Sequence, residues 1–145
     1  MPTDEEFLTG NVSVIDEFRA NGGVVASLGF PILLLTTTGS RSGRPRTSPL
    51  GFGVDGERIF VVASKGGAPS NPAWFHNLRA NPSVRVELGR NVYDGRAIVA
   101  EGQDRDRLFE IIKAGAPTLA EYEKKSHRVI PVVVLEGVPA PTADR

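Results

Sequence analysis

The run Ile32-Leu33-Leu34-Leu35-Thr36-Thr37-Thr38 is apolar, then β-branched, and too short for a helix, so it predicts a buried strand. Arg46 to Val54 and Arg58 to Ala63 read as two further strands. Asp55-Gly56 between them is the pair that a tight hairpin turn prefers. Val84-Arg85-Val86-Glu87-Leu88 alternates apolar with charged positions, the pattern of a strand with one wet face. Asn91 to Val99 predicts the next strand and Ile130 to Leu135 the last.

Helical spacing appears in four places. Phe7, Leu8, Val12, Ile15 and Phe18 mark a helix over Asp4 to Arg19, weakened in its middle by Gly10-Asn11 and ended by Gly22-Gly23. Asn71-Pro72 predicts a helix start, with Asn as the cap and Pro at the first position, and Asn81-Pro82 closes that helix. Leu108, Phe109, Ile111 and Ile112 define a helix over Asp104 to Ala114, stopped by Gly115, and a shorter one runs from Thr118 to about Ser126. About six strands joined mainly by hairpin turns argue against a doubly wound parallel sheet. They predict a mainly β, α+β chain: a small antiparallel barrel with helices over its openings. Residues 1–145 are read as one domain, with an N-terminal helical segment over 1–30 and a flexible tail over 137–145.

Composition narrows the chemistry. Forty per cent apolar and 23% charged residues describe a globular protein. The absence of cysteine excludes thiolate chemistry, disulfides and Cys-ligated metal, and suits a cytoplasmic location. No run approaches the ~20 apolar residues of a membrane span, and the acidic start Met1-Pro2-Thr3-Asp4-Glu5-Glu6 is unlike a secretory leader. Net charge is zero, but residues 39–90 carry eight basic and three acidic groups, against one and five in residues 1–38. A zero sum argues against bulk nucleic-acid binding.

The positive segment contains two glycine-bearing loops. Gly39-Ser40-Arg41-Ser42-Gly43-Arg44-Pro45-Arg46 follows the first strand, and Ala63-Ser64-Lys65-Gly66-Gly67-Ala68 follows the third. Arginine grips phosphate and carboxylate bidentately, and small residues let backbone amides approach an oxyanion. The loops therefore read either as a site for a flat anionic ligand or as solvated basic turns. Neither has the spacing of a P-loop or dinucleotide fingerprint. Gly43-Arg44-Pro45-Arg46 also resembles the core of minor-groove AT-hooks, but those lie in basic tails and this one is flanked by strands. Trp74, the single tryptophan, with Leu78 at i+4, reads as a core anchor or as a ligand platform. His76 and His127 have no partners at metal-ligand spacing, so no metal site is expected. Binding groups are thus clearer than an acid, base or nucleophile, as suits an enzyme whose cofactor carries the electrons.

Several motifs in order resemble the deazaflavin (F420)-dependent nitroreductase family. They are Leu35-Thr36-Thr37-Thr38-Gly39-x-Arg41-Ser42-Gly43-x-Pro45-Arg46-x-x-Pro49-Leu50, Ala63-Ser64-Lys65-Gly66-Gly67, Asn71-Pro72-x-Trp74 and Asn77-Leu78-x-Ala80-Asn81-Pro82. The resemblance runs from about Ile32 to Leu135. It implies a split β-barrel related to flavin-mononucleotide (FMN) oxidoreductases, and hydride transfer from reduced coenzyme F420 to a quinone, activated alkene or nitro-aromatic compound.

The same resemblance implies the site. Ser40, Arg41, Ser42, Gly43 and Arg46 would hold the cofactor's phosphate and glutamyl tail, with Thr47, Ser48, Pro49, Leu50 and Gly51 along the groove. Val62, Ala63, Ser64, Lys65 and Gly66 would contact the deazaflavin head and its linker. Ala73, Trp74, Phe75, His76 and Asn77 would close one side, and Tyr122 and Ser64 are the candidate proton donors. Gly51 and Leu119 stand where the family's best-known type has aromatic residues, which puts nitroimidazole reduction in question. The alternatives are an FMN-binding barrel and a non-catalytic deazaflavin carrier or sensor. A monomer or homodimer is expected, without stable membrane insertion, cytoplasmic or peripheral to the inner membrane face.

Overall fold

The computed structural model describes residues 4–28 and 30–141. β1 (Ile32–Thr38) is deeply buried, with Leu33, Leu34 and Leu35 wholly inaccessible to solvent. Burial on both faces explains why this strand lacks an alternating pattern. β1 pairs antiparallel with β2 (Pro45–Gly51) on one side and β5 (Ser83–Leu88) on the other. The remaining strands are β3 (Gly53–Asp55), β4 (Arg58–Val62), β6 (Asn91–Val99) and β7 (Val132–Glu136). All seven form one antiparallel sheet in the order β2-β1-β5-β6-β7-β4-β3.

That order carries one correction. Residues 46–54, expected as one strand, are two, and the count is seven strands. β2 and β3 lie at opposite ends of the sheet yet are joined only through Phe52. The sheet must therefore curl until its two edges approach at that residue, which makes it a split barrel, the fold class expected. Gly53 permits the closure: a Cβ there would lie 2.4 Å from the Phe60 ring.

α1 (Asp4–Ala20) is one continuous helix, not interrupted at Gly10-Asn11. It ends as expected at Gly22-Gly23, both at positive φ, with the Gly23 amide bonded back to the Phe18 carbonyl at 2.8 Å. Phe18 packs with Val25, Ile32 and Leu34, and the Arg19 fork grips both oxygens of Glu87 at 3.0 and 2.9 Å. α3 (Gly102–Gly115) and α4 (Thr118–Ser126) bury Leu108, Phe109 and Leu119 against Phe60 and Val132. The packed chain extends past Gly137, where a frayed tail was expected, because Val138 is buried in the main core. Residues 142–145 of that tail lie outside the described residues.

Candidate functional site

Antiparallel pairing throughout the sheet makes β1 and β4 run in the same direction, so the loops at their C-terminal ends leave at one rim. These are the two glycine-bearing loops, and the fold brings them to the same side of the barrel. α2 (Ala73–Ala80) links the two. It begins just after the second loop, and Asn77 in its middle holds the first.

The first loop closes on itself. The Gly39 amide donates to the Arg44 carbonyl at 2.8 Å, the Gly43 amide to the Gly39 carbonyl at 2.9 Å, and the Arg44 amide to Ser42 Oγ at 3.1 Å. Gly43 sits at φ +69, a conformation that favours glycine, and a Cβ on Gly39 would crowd Ser42 Oγ at 2.5 Å. The Ser40 amide donates to Asn77 Oδ1 at 3.0 Å, and Asn77 Nδ2 donates to Thr37 Oγ1 at 3.2 Å. Among the described residues this leaves the amides of Arg41 and Ser42 without a protein acceptor, at the exposed tip of the loop. Thr47, expected along the groove, shares a 2.8 Å hydroxyl contact with Thr36.

The second loop is a 3-10 turn over Lys65–Gly67, closed by the Gly67 amide on the Ser64 carbonyl at 2.9 Å and the Ala68 amide on the Lys65 carbonyl at 3.1 Å. Lys65 has φ +47, a conformation that lysine adopts only when its surroundings impose it. α4 lies directly against this turn. A Cβ on Gly67 would sit 3.1 Å from both Tyr122 Cα and Lys125 Cδ, so Tyr122 and the Ser64–Lys65 loop, expected at one site, are neighbours.

The expected contacts divide by burial. Arg41, Ser42, Gly43, Arg46, Gly51, Ala73 and His76 are exposed, and Thr47, Ser48, Pro49, Leu50, Val62, Ser64 and Lys65 are partly so. Ala63, Phe75, Trp74 and Asn77 are buried, with Trp74 and Asn77 each 7% exposed. Trp74 lies in the main core with Leu33, Leu35 and Leu78 and meets Phe75 edge-on, so its role as a core anchor is the one its packing favours. Gly51 faces Phe30, whose ring would be 3.5 Å from a Cβ there and is 54% exposed.

Among the described residues, the side chains of Arg41, Arg44, Arg46 and Lys65 have no carboxylate in ion-pair range, and nor do those of Arg79, Arg90, Arg96, Lys124, Lys125 and Arg128. Elsewhere Arg58 bridges Asp55 and Asp104, and Arg107 also pairs with Asp55. The Arg107 hydrogen bond, then that of Arg58, lowers the pKa of Asp55, and Arg58 lowers that of Asp104. No group of three or more potential metal ligands occurs among the described residues.

One expectation fails, and it exposes a residue that sequence reasoning missed. Asn71 does not cap α2; Pro72 occupies that position, and Asn71 Oδ1 instead accepts from Arg128 Nη1 at 2.6 Å. α2 begins at Ala73, one residue later than expected, which puts Asn71 outside the cap position and leaves its side chain to Arg128. Arg128 also donates to the Ala63, Ser64 and Ala68 carbonyls. Its signal in the sequence was faint: a single arginine between the end of α4 and the apolar Ile130-Pro131-Val132. Lys125, beside Gly67, was equally unmarked.

Residues 12–137 match the sequence profile of the F420H(2)-dependent quinone reductases. An F420H(2)-dependent quinone reductase of Mycobacterium tuberculosis (strain H37Rv) is 42% identical over 108 residues, 72% of this chain and 72% of the relative. A solved structure described as an F420-H2 dependent reductase superposes with a TM-score of 0.67 at 41% identity, over 73% of this chain and 94% of that one. Another, described as a domain-swapped dimer, gives 0.69 at 36% identity, over 89% and 99%. The heme storage protein HutZ of Vibrio cholerae has the same fold at a TM-score of 0.55 and 18% identity, over 88% of this chain and 89% of its own. By sequence over most of its length and by fold, this chain belongs to the F420H(2)-dependent quinone reductase family, oxidoreductases that use coenzyme F420.

Proposed function

We propose that this protein, as one split-barrel domain over residues 1–145, binds reduced coenzyme F420 across its two glycine-bearing loops and reduces a quinone. One observation carries the assignment of the loops. Arg41, Arg44, Arg46 and Lys65 are held at one rim with no carboxylate partner among the described residues, beside two free amides. Such groups fit the phosphate and glutamyl tail of F420, since desolvating them against an anion is favourable where no internal partner competes.

Bound reduced F420 supplies a hydride, two electrons with one proton. The chain's own residues do the rest. The cations and loop amides fix the tail, Asn77 holds the first loop at the Ser40 amide, and the edge strand β2 lines the groove with Thr47 to Leu50. Tyr122 and Ser64 lie on adjoining elements, and either hydroxyl can deliver the proton that a quinone oxygen needs alongside the hydride to give the hydroquinone. Proximity and orientation supply most of the rate.

The family description supports quinones as the first acceptor class, with activated alkenes and nitro-aromatic compounds as further acceptors of the same hydride. Among the described residues no helix is long and apolar enough to cross a membrane. We place the protein in the cytoplasm, meeting its acceptor at most peripherally at the inner membrane face. The relative described as a domain-swapped dimer supports a homodimer over a monomer.

The test is anaerobic mixing of the protein with reduced F420 and a soluble quinone, following the return of oxidised-cofactor absorbance. Catalysed oxidation that requires the quinone is the expected result. Oxidation supported only by reduced FMN would replace the cofactor, and F420 binding without turnover on any acceptor class would make the protein a carrier.

A further inference from the structure

We propose that Arg128 is the positioning residue of the second loop, a clasp that joins the two ends of Ala63–Asn71 and holds Ser64 and Lys65 in their ligand-gripping form. The chain reaches that place by a specific turn. α4 ends at Ser126, and His127 adopts the left-handed conformation at φ +54. Ser126 Oγ, in a side chain only 3% exposed, donates to the Glu123 carbonyl at 3.2 Å and lies 3.5 Å from the Arg128 amide. The turn sends Arg128 back beneath the loop.

Four of the five guanidinium N–H donors are then used. Nη2 donates to the carbonyls of Ala63 at 3.0 Å and Ser64 at 3.1 Å, before the 3-10 turn. Nε donates to the Ala68 carbonyl at 3.1 Å and Nη1 to Asn71 Oδ1 at 2.6 Å, after it. One planar fork therefore spans the turn. The turn needs such a hold, because Lys65 and Gly67 sit at φ +47 and +84 and the 3-10 bonds close it at only two places. Arg128 has no carboxylate partner among the described residues, so it does not serve as one half of an ion pair. Desolvation by burial pulls its pKa down from the ordinary guanidinium value, but an arginine stays charged, and the carbonyls accept that charge without cancelling it. The loop thus rests on a retained positive charge.

This inference rests on the reading of the loops as the F420 site, and its test separates the two. Arg128→Lys keeps the charge but removes the fork, since lysine offers a point charge with three donors. In the ligand-free protein, amide exchange at Gly67 and Ala68 is expected to accelerate by roughly tenfold or more, while exchange at Val86 in β5 stays as in the wild type. The KM for reduced F420 should rise by roughly tenfold, with kcat at saturation little changed, as for lost ground-state binding. In Arg128→Ala, millimolar guanidinium ion should restore part of the affinity. Arg58→Gln, which loses the bridge to Asp55 and Asp104, serves as a control for general destabilisation. Unaltered exchange at Gly67 and Ala68 in Arg128→Lys overturns the clasp, as does equal loosening of the loop in Arg58→Gln. If the wild type fails to bind F420 while the variant's loop still loosens, the clasp stands and the cofactor reading alone falls.

Discussion

The barrel carries two clusters of charge, and they are built in opposite ways. At the β3–β4 hairpin, Asp55, Arg58, Asp104 and Arg107 satisfy one another and tie the hairpin to α3. At the rim, Arg41, Arg44, Arg46 and Lys65 face no carboxylate among the described residues. Charges that find partners inside the protein have spent their donors on the fold. Charges in the loops keep their donors free, which is what the proposed F420 site requires. The same residue type is thus internally paired in one place and open in the other, and the neighbours decide which.

The sharpest way to break this contrast is to reverse the rim charges. Arg41→Glu combined with Lys65→Glu should weaken F420 binding by at least about a hundredfold, since each charge-assisted contact is worth ~1.5–3 kcal/mol. Tm should barely move, because neither side chain holds another element. A large loss of Tm would place these residues in the fold. Singly, Arg41→Ala or Lys65→Ala should each weaken binding by roughly tenfold, read by titrating the Trp74 fluorescence with correction for cofactor absorption. Unchanged affinity in both would remove the tail from these loops.

Gly67→Ala tests the join between the second loop and α4. The new methyl meets Tyr122 Cα and Lys125 Cδ at 3.1 Å, and the backbone is held at φ +84. F420 affinity should fall with the strained second loop, and quinone turnover should fall further, because Tyr122 is displaced as well while the first loop is untouched. An unchanged ratio of the two would separate Tyr122 from the reaction.

The smallest effect belongs to the paired cluster. Asp55→Asn should lower Tm modestly and leave F420 affinity alone. The folded-state pKa values of Asp55 and Asp104 lie below their unfolded values, Asp55 through its Arg107 and Arg58 hydrogen bonds and Asp104 through Arg58. Their stabilisation is therefore present above the unfolded carboxylate pKa of about 4 and is lost as pH falls through the folded values. Thermal melts between neutral and acid pH should show that loss in the wild type and a shallower one in Asp55→Asn.

Much of the architecture was legible because it rests on local rules. The hairpin fell where Asp55-Gly56 marked it, although its turn is Gly56-Glu57 and Asp55 ends β3 opposite Arg58. Gly22-Gly23 predicted the end of α1, and the alternation over Val84–Leu88 a strand with one wet face. The continuous strand expected over 46–54 was not, since nothing in Leu50-Gly51-Phe52-Gly53 says that the chain leaves one edge of a curled sheet and joins the other. The glycines are there, but a break between strands and a bend within one look alike until the partners are known.

The site divides in the same way. By itself the sequence determined which loops are basic, which glycines can take positive φ, and that the chain holds no thiol, because these are properties of residue types and near neighbours. The tertiary structure decided which cations stay unpaired, since pairing depends on residues tens of positions away. It made Asn77, expected as a ligand contact, the post that holds Ser40, through a hydrogen bond across 37 positions. It drew Asn71 from its expected cap to Arg128, 57 positions on, since a hydrogen bond goes to the donor that the packed chain brings within reach.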